Sequence, residues 1–154
     1  MSLDEVIRAL REASAELSNV LKGVFLGMLL FGSWARGEAR EDSDVDILVL
    51  LRGRSSLELR SSLYKVVARY VKKPLTLVDL DVDEVVKEDF VLSPLLLNAI
   101  ADGVIIYDEG GYLRDLLDKG RRLLEKAELI RYKTPDGKYG WMRRDGKPLT
   151  AVEL

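Results

Sequence analysis

Neither cysteine nor histidine occurs in the 154-residue chain. Disulfide frameworks, Cys/His zinc sites and cysteine nucleophiles are therefore excluded, as is every mechanism that uses a histidine base. Long apolar runs are missing too. The longest, Val24 to Phe31, has eight residues, against the ~20 that span a bilayer. The opening MSLDEVIRAL carries acidic residues and reads as a helix start rather than a signal peptide, so a cytoplasmic location is expected. No excess of one charge exists either: 24 basic and 26 acidic side chains leave a formal −2. That balance argues against a dedicated nucleic-acid coat protein, although a local patch stays open. Chemistry in this chain must run on carboxylates, hydroxyls, lysine, arginine and backbone amides.

What is present is a globular balance, with 47% hydrophobic and 32% charged residues. One domain with a real core fits this length. Ser2 and Glu5 form a capping-box pattern, and Val6, Ile7, Leu10, Leu17 and Leu21 recur at helical spacing, which predicts a helix over 3–21. Gly23 stops it, and Val24 to Phe31 reads as a buried strand ended by Gly32-Ser33. After the polar stretch WARGEAREDSD, Val45 to Leu51 reads as a second strand. Ser55 or Ser56 caps a helix with Leu59, Leu63, Val66, Val67 and Tyr70 on its apolar face. Pro74 closes that helix, and Leu75 to Leu80 reads as a third strand. Ser93-Pro94 opens a helix over 94–101, VIIY after Gly103 is a short strand, and 112–129 is helical despite Gly120. This order is that of an α/β domain with a small sheet.

The end of the chain differs in charge. Residues 131–154 hold six basic and three acidic groups, whereas the first 130 hold 18 basic and 23 acidic. Asp136-Gly137 and Asp145-Gly146 are turn signals, so a hairpin or extended arm is expected over 131–154 beside a domain over 1–130. Tyr132, Tyr139 and Trp141 would anchor it on the body or on a second subunit; a plain surface appendage is the alternative.

The segment LFGSWARGEAREDSDVDILVL, Leu30 to Leu50, carries the chemistry. Gly32 lets the backbone approach a ligand closely, and the Ser33 hydroxyl with nearby amides can hold phosphate oxygens. A tight turn accounts for the same two residues. Asp44 and Asp46 share a strand face while Val45 and Ile47 point away. Neighbouring carboxylates repel, and a divalent cation such as Mg²⁺ relieves them; a solvated strand edge is the bland alternative. Asp79, in LTLVDLD, would add a third carboxylate able to ligate metal or take a proton. Asp81, two residues on, suits a helix cap better.

Together these residues resemble the minimal nucleotidyltransferases of the DNA polymerase beta superfamily. The family pattern is an apolar strand, Gly-Ser, roughly ten residues, an Asp-x-Asp strand and a later carboxylate between apolar residues. Here Gly32-Ser33 is followed by the ten residues Trp34 to Ser43 and then by Asp44-Val45-Asp46. The finer forms GSWARG and SDVD are present, LVDL supplies Asp79, and DGVIIYDEG is similar to the closing strand. The basic tail has no place in the common core.

The resemblance implies a mixed α/β polymerase-beta-like fold and a Mg²⁺-dependent transfer of a nucleotide. Gly32 and Ser33 would hold the β/γ phosphates of the nucleoside triphosphate, and Asp44 and Asp46 two Mg²⁺ ions. Asp79 would ligate the ion nearest the α-phosphate and orient or deprotonate the acceptor hydroxyl. Arg36 meets a phosphate or pairs with Glu38, Glu41 or Asp42. Single-domain members stand beside helical HEPN-type proteins, which implies ATP as donor, a tyrosine of such a toxin as acceptor, and an antitoxin role. A small-molecule hydroxyl, or nucleotide or toxin binding without turnover, are the alternatives. A homo-oligomer also remains open.

Overall fold

The structure, a computed structural model, describes residues 1–146 and 149, with backbone alone at 152 and 153. Helix α1 (Leu3–Val20) starts on the complete Ser2/Glu5 capping box and lays Val6, Leu10, Ala13 and Leu17 into the core. The chain reverses through Gly23, at φ +78°, into β1 (Phe25–Phe31), every residue of which is buried. A short helix α2 (Gly32–Arg36) follows, and then β2 (Val45–Leu51). Ser56 caps α3 (Leu57–Val71) by accepting from the Leu59 amide. Lys72 ends it in the left-handed region, and β3 (Leu75–Asp81) follows Pro74.

The expected order continues, with short additions. Asp81 caps a single-turn helix α4 (Val82–Val85), and β4 (Val91–Leu92) precedes α5 (Pro94–Asp102), which Ser93 caps. Then come β5 (Val104–Asp108) and α6 (Tyr112–Lys126). Gly120 is accommodated in α6 because a Cβ there would press on Ile100 of α5, so the glycine permits the close helix crossing. Strands β6 (Ile130–Lys133) and β7 (Tyr139–Met142) form an antiparallel hairpin. A last short strand, β8 (Val152–Glu153), pairs with β4. Lys147, Pro148, Thr150, Ala151 and Leu154, within the basic tail, lie outside the described residues.

The main sheet has the order β3-β2-β1-β5, with β1 antiparallel to β2 and β5, and β2 parallel to β3. Two hydrophobic layers cover it. Val45, Ile47, Val49 and Leu51 of β2 point into a core closed by α1 and α3. Leu48 and Leu50 point into the opposite core, closed by α5, α6 and Trp141 of the hairpin. This alternation is the period-2 geometry of a sheet covered on both faces. No helix among the described residues is long and apolar enough to cross a membrane.

Candidate active site at the ends of β1 and β2

Strand β1 ends at Phe31, which register places opposite Asp46 of β2. Gly32, the next residue, turns away at φ +74°, a conformation that side-chain-bearing residues rarely adopt. A Cβ at this position would also overlap the Asp46 carboxylate. Glycine is thus required twice over, by the backbone and by the carboxylate pressed against it. The turn is closed by Gly37 at φ +76° and by the Glu38 amide donating to the Ser33 carbonyl at 2.9 Å. Trp34, 7% exposed, donates its indole N–H to the Ser43 carbonyl at 3.3 Å. That bond ties the polar loop back to the start of β2, and the Ser43 hydroxyl caps the loop by accepting from the Arg40 amide. The stretch between Gly-Ser and Asp-x-Asp is therefore a pinned loop that delivers the second motif under the first.

Asp46 shares its sheet face with Leu48 and Leu50, on the α5/α6 side. Burial pushes its carboxyl above the ordinary aspartate range; the Thr76 hydroxyl opposes that rise, the Asp44 charge adds to it and Arg36 opposes it. Asp44, exposed, lies just before the strand and accepts from the Thr76 hydroxyl at 3.3 Å. Thr76 is the β3 residue paired with Asp46. The structure thus brings together Gly32, Ser33, Asp44 and Asp46, with a threonine hydroxyl beside both carboxylates.

Asp79 is not among them, and the expectation of a three-carboxylate centre is corrected. In parallel pairing, Asp79 sits opposite Val49 and, like Val49, Leu75 and Leu77, belongs to the α1/α3 face of the sheet. There its carboxylate accepts from Arg60 of α3 at 2.6 Å, while the same guanidinium reaches the Leu77 carbonyl at 3.1 Å. Among the described residues no group of three carboxylates is placed to hold a metal. Asp81 behaves as a cap, accepting from the amides of Asp83 and Gly53.

A cavity of about 440 Å³ opens beside Asp46, walled on one side by Gly32 and Ser33 and on the other by Gly137, Lys138 and Tyr139 of the hairpin. Sequence reasoning did not place the hairpin here. Its anchor is Asp102, at the end of α5, whose side chain is 6% exposed. Arg131 of β6 grips it with two hydrogen bonds of 2.7 Å, and Arg36 of α2 adds a third of 2.9 Å. Asn98 accepts from Arg131 and from the Trp141 indole, and donates to the Tyr139 carbonyl. The guanidiniums of Arg36 and Arg131 lie 4.4 and 4.2 Å from the centre of the Tyr139 ring, and its hydroxyl donates to Glu38. Arg36 lines the cavity, yet its charge is matched by Asp102 and Glu38. Within this chain it joins the Gly-Ser turn to the hairpin.

The opposed faces of the two acidic positions separate their roles. If the cavity takes a nucleotide with Mg²⁺, calorimetry should show that binding lost in Asp46→Asn and unchanged in Asp79→Asn. The latter substitution should cost about 1 kcal/mol or less in thermal unfolding, as a part-exposed ion pair does. Acid should act on the hairpin through Asp102. Burial alone would raise that carboxyl, but the hydrogen bonds and charges of Arg131 and Arg36 outweigh it and hold it below its ordinary value. Its contribution to docking is therefore complete above the unfolded value near 4 and is lost as pH falls through the lower folded one. Tryptophan fluorescence should show this acid transition in the parent chain and not in Asp102→Asn.

Comparison with known proteins gives the family. A model of the nucleotidyltransferase domain matches residues 7–107, well over half of the chain. Over 69 residues the chain is 36% identical to "Putative protein adenylyltransferase MJ0141" of Methanocaldococcus jannaschii, covering 45% of this chain and 70% of that protein. A second protein of that organism, named in the same way as MJ1305, is 27% identical over 110 residues, 68% of this chain and 74% of its own. Among solved structures, a crystal structure of a toxin-antitoxin with AMP-PNP superposes with a TM-score of 0.50 at 18% identity, over 77% of this chain and 92% of that one. That likeness is one of fold. The matched segment runs from α1 to β5 and so contains both strands and the Gly-Ser turn. This chain belongs to the nucleotidyltransferase domain family.

Proposed function

We propose that this chain transfers AMP from ATP to a phenolic hydroxyl of a partner protein, as the antitoxin of a HEPN-type toxin. The observation that carries the reading is the Gly32-Ser33 turn set directly against Asp46, with Asp44 on the same side. Names given to similar proteins support the finer parts: two relatives are named as protein adenylyltransferases, and a structure of the same fold is a toxin-antitoxin with AMP-PNP.

The donor set fits one Mg²⁺. Two carboxylates lie side by side, one of them raised by burial and by its neighbour's charge, and magnesium commonly takes one or two carboxylates plus substrate phosphate oxygens. Asp44 and Asp46 would hold it, and it would neutralise charge on the phosphates during transfer. A second ion lacks its third carboxylate, because Thr76 occupies the position beside Asp46. Gly32 and Ser33 present close backbone and a hydroxyl to the β and γ phosphates. The acceptor oxygen attacks the α-phosphorus, the bond to the β-phosphate oxygen breaks, and pyrophosphate departs with the electron pair.

The acceptor's proton decides the substrate class. No carboxylate of β3 faces the site to receive it, so the proton passes to solvent and an acidic hydroxyl is favoured. A phenol, with a pKa near 10, needs less help than an aliphatic alcohol, which favours tyrosine over a sugar or serine hydroxyl.

Incubation with α-labelled ATP, Mg²⁺ and the product of the adjacent gene tests the proposal. Label should pass to a tyrosine of that protein, and should be lost with EDTA and in Asp44→Ala or Asp46→Asn. Capture of the partner with no label transferred would overturn the proposal. Thr76→Asp should place a base beside Asp46 and raise single-turnover transfer by about ten-fold or more; an unchanged rate would show that proton removal does not limit the reaction.

A further inference from the structure

The hairpin forms the outer wall of the cavity, and its tip carries a cation that nothing so far has used. We propose that Lys138 binds the terminal phosphates of the triphosphate, and the pyrophosphate they become, from the side opposite Gly32-Ser33. This rests on the nucleotide reading of the site given above.

The case starts from charge. Asp44 and Asp46 make their side of the cavity negative, and a triphosphate brings more negative charge than one divalent cation cancels. A second positive group is needed at the phosphate end. Two basic side chains line the cavity, Arg36 and Lys138. Arg36 is already matched by the Asp102 and Glu38 carboxylates and stacked on Tyr139. Lys138 has no ion-pair partner within 4 Å among the described residues. The carboxylate next to it in the turn, Asp136, bonds to the Thr134 hydroxyl and the Lys138 backbone amide and feels the Lys138 charge only as a weaker, through-space attraction.

Position follows from how the hairpin is held. The Thr134 amide donates to the Lys138 carbonyl at 2.8 Å, and Gly137 turns the tip at φ +86°. Behind the tip, Trp141 is 7% exposed and Arg131 is locked to Asp102. The tip is therefore built onto the body, and only the flexible lysine stem must be ordered when phosphate arrives. A lysine suits this task as a compact charge with three rotatable donors.

Calorimetric titration of the full chain with Mg-ATP and with AMP distinguishes a phosphate contact from a mere wall. Lys138→Ala should weaken Mg-ATP binding about ten-fold or more, the scale of a lost hydrogen bond to a charged group, and leave AMP binding unchanged. Lys138→Arg should retain most of the ATP affinity. Equal weakening of ATP and AMP, or an unaltered ATP affinity in Lys138→Ala, would overturn the inference while the nucleotide reading stands. Failure of the parent chain to bind Mg-ATP would overturn both.

Discussion

The close approach of Gly32 to the Asp46 carboxylate is the contact on which the site depends. It requires β1 and β2 to pair so that Phe31 faces Asp46, a residue without a side chain at the next position, and a backbone that can take φ +74° there. Any Cβ at residue 32 would force Asp46 away from the turn, because the atom it would meet is the carboxylate itself. The surrounding structure holds this arrangement rigidly. Trp34 ties the intervening loop to Ser43, and the all-buried β1 fixes the register from below. A carboxylate is costly to bury without a counter-charge. Its placement against an open cavity makes sense where a cation and an anionic ligand arrive together.

Asp102 plays the corresponding part for the far wall. One buried carboxylate receives two guanidiniums, Arg36 from the motif helix and Arg131 from the hairpin, so the two walls of the cavity share an anchor. Removing it would leave two part-buried guanidiniums close together without the carboxylate they share, a larger disturbance than the loss of an exposed ion pair. Arg36 therefore reads best as a strut. Its place in the Gly-Ser-x-Ala-Arg-Gly motif reveals that it is near the site, but its partners become visible only when α5 and the hairpin are packed around it.

Much of the architecture could be read from local signals. Ser2, Ser56 and Ser93 each mark a helix start by a side-chain oxygen that meets an amide three residues on, a relation written in adjacent sequence. The apolar runs of β1 and β2 and the Gly-Ser to Asp-x-Asp spacing are equally local. Asp79 shows where such reading stops. Within LTLVDLD, alternation separates Leu75, Leu77, Asp79 and Asp81 from Thr76, Val78 and Leu80, but it does not say which set faces Asp46. That depends on pairing Asp46 with Thr76, and a slip of one residue would exchange the two faces. Arg60, which claims Asp79, lies on a neighbouring helix with no sequence mark of its role. The tail's positive charge and aromatic residues were legible as binding features; their target, Asn98 and Asp102, was not.

Thr76 beside the two carboxylates and the basic hairpin across the cavity bear on the same balance. A third carboxylate beside Asp44 and Asp46 would deepen the negative field and favour a second divalent ion. Threonine in that place keeps a hydrogen bond to Asp44 without adding charge. In the proposed reaction one divalent ion would then suffice for the carboxylates, and the phosphates would need positive charge from elsewhere. The chain's last 24 residues carry a net +3 while the first 130 carry −5, and the hairpin brings part of that surplus to the cavity mouth through Lys138. The proposed reaction would divide the cationic work between an ion at the strand ends and a side chain on the docked hairpin.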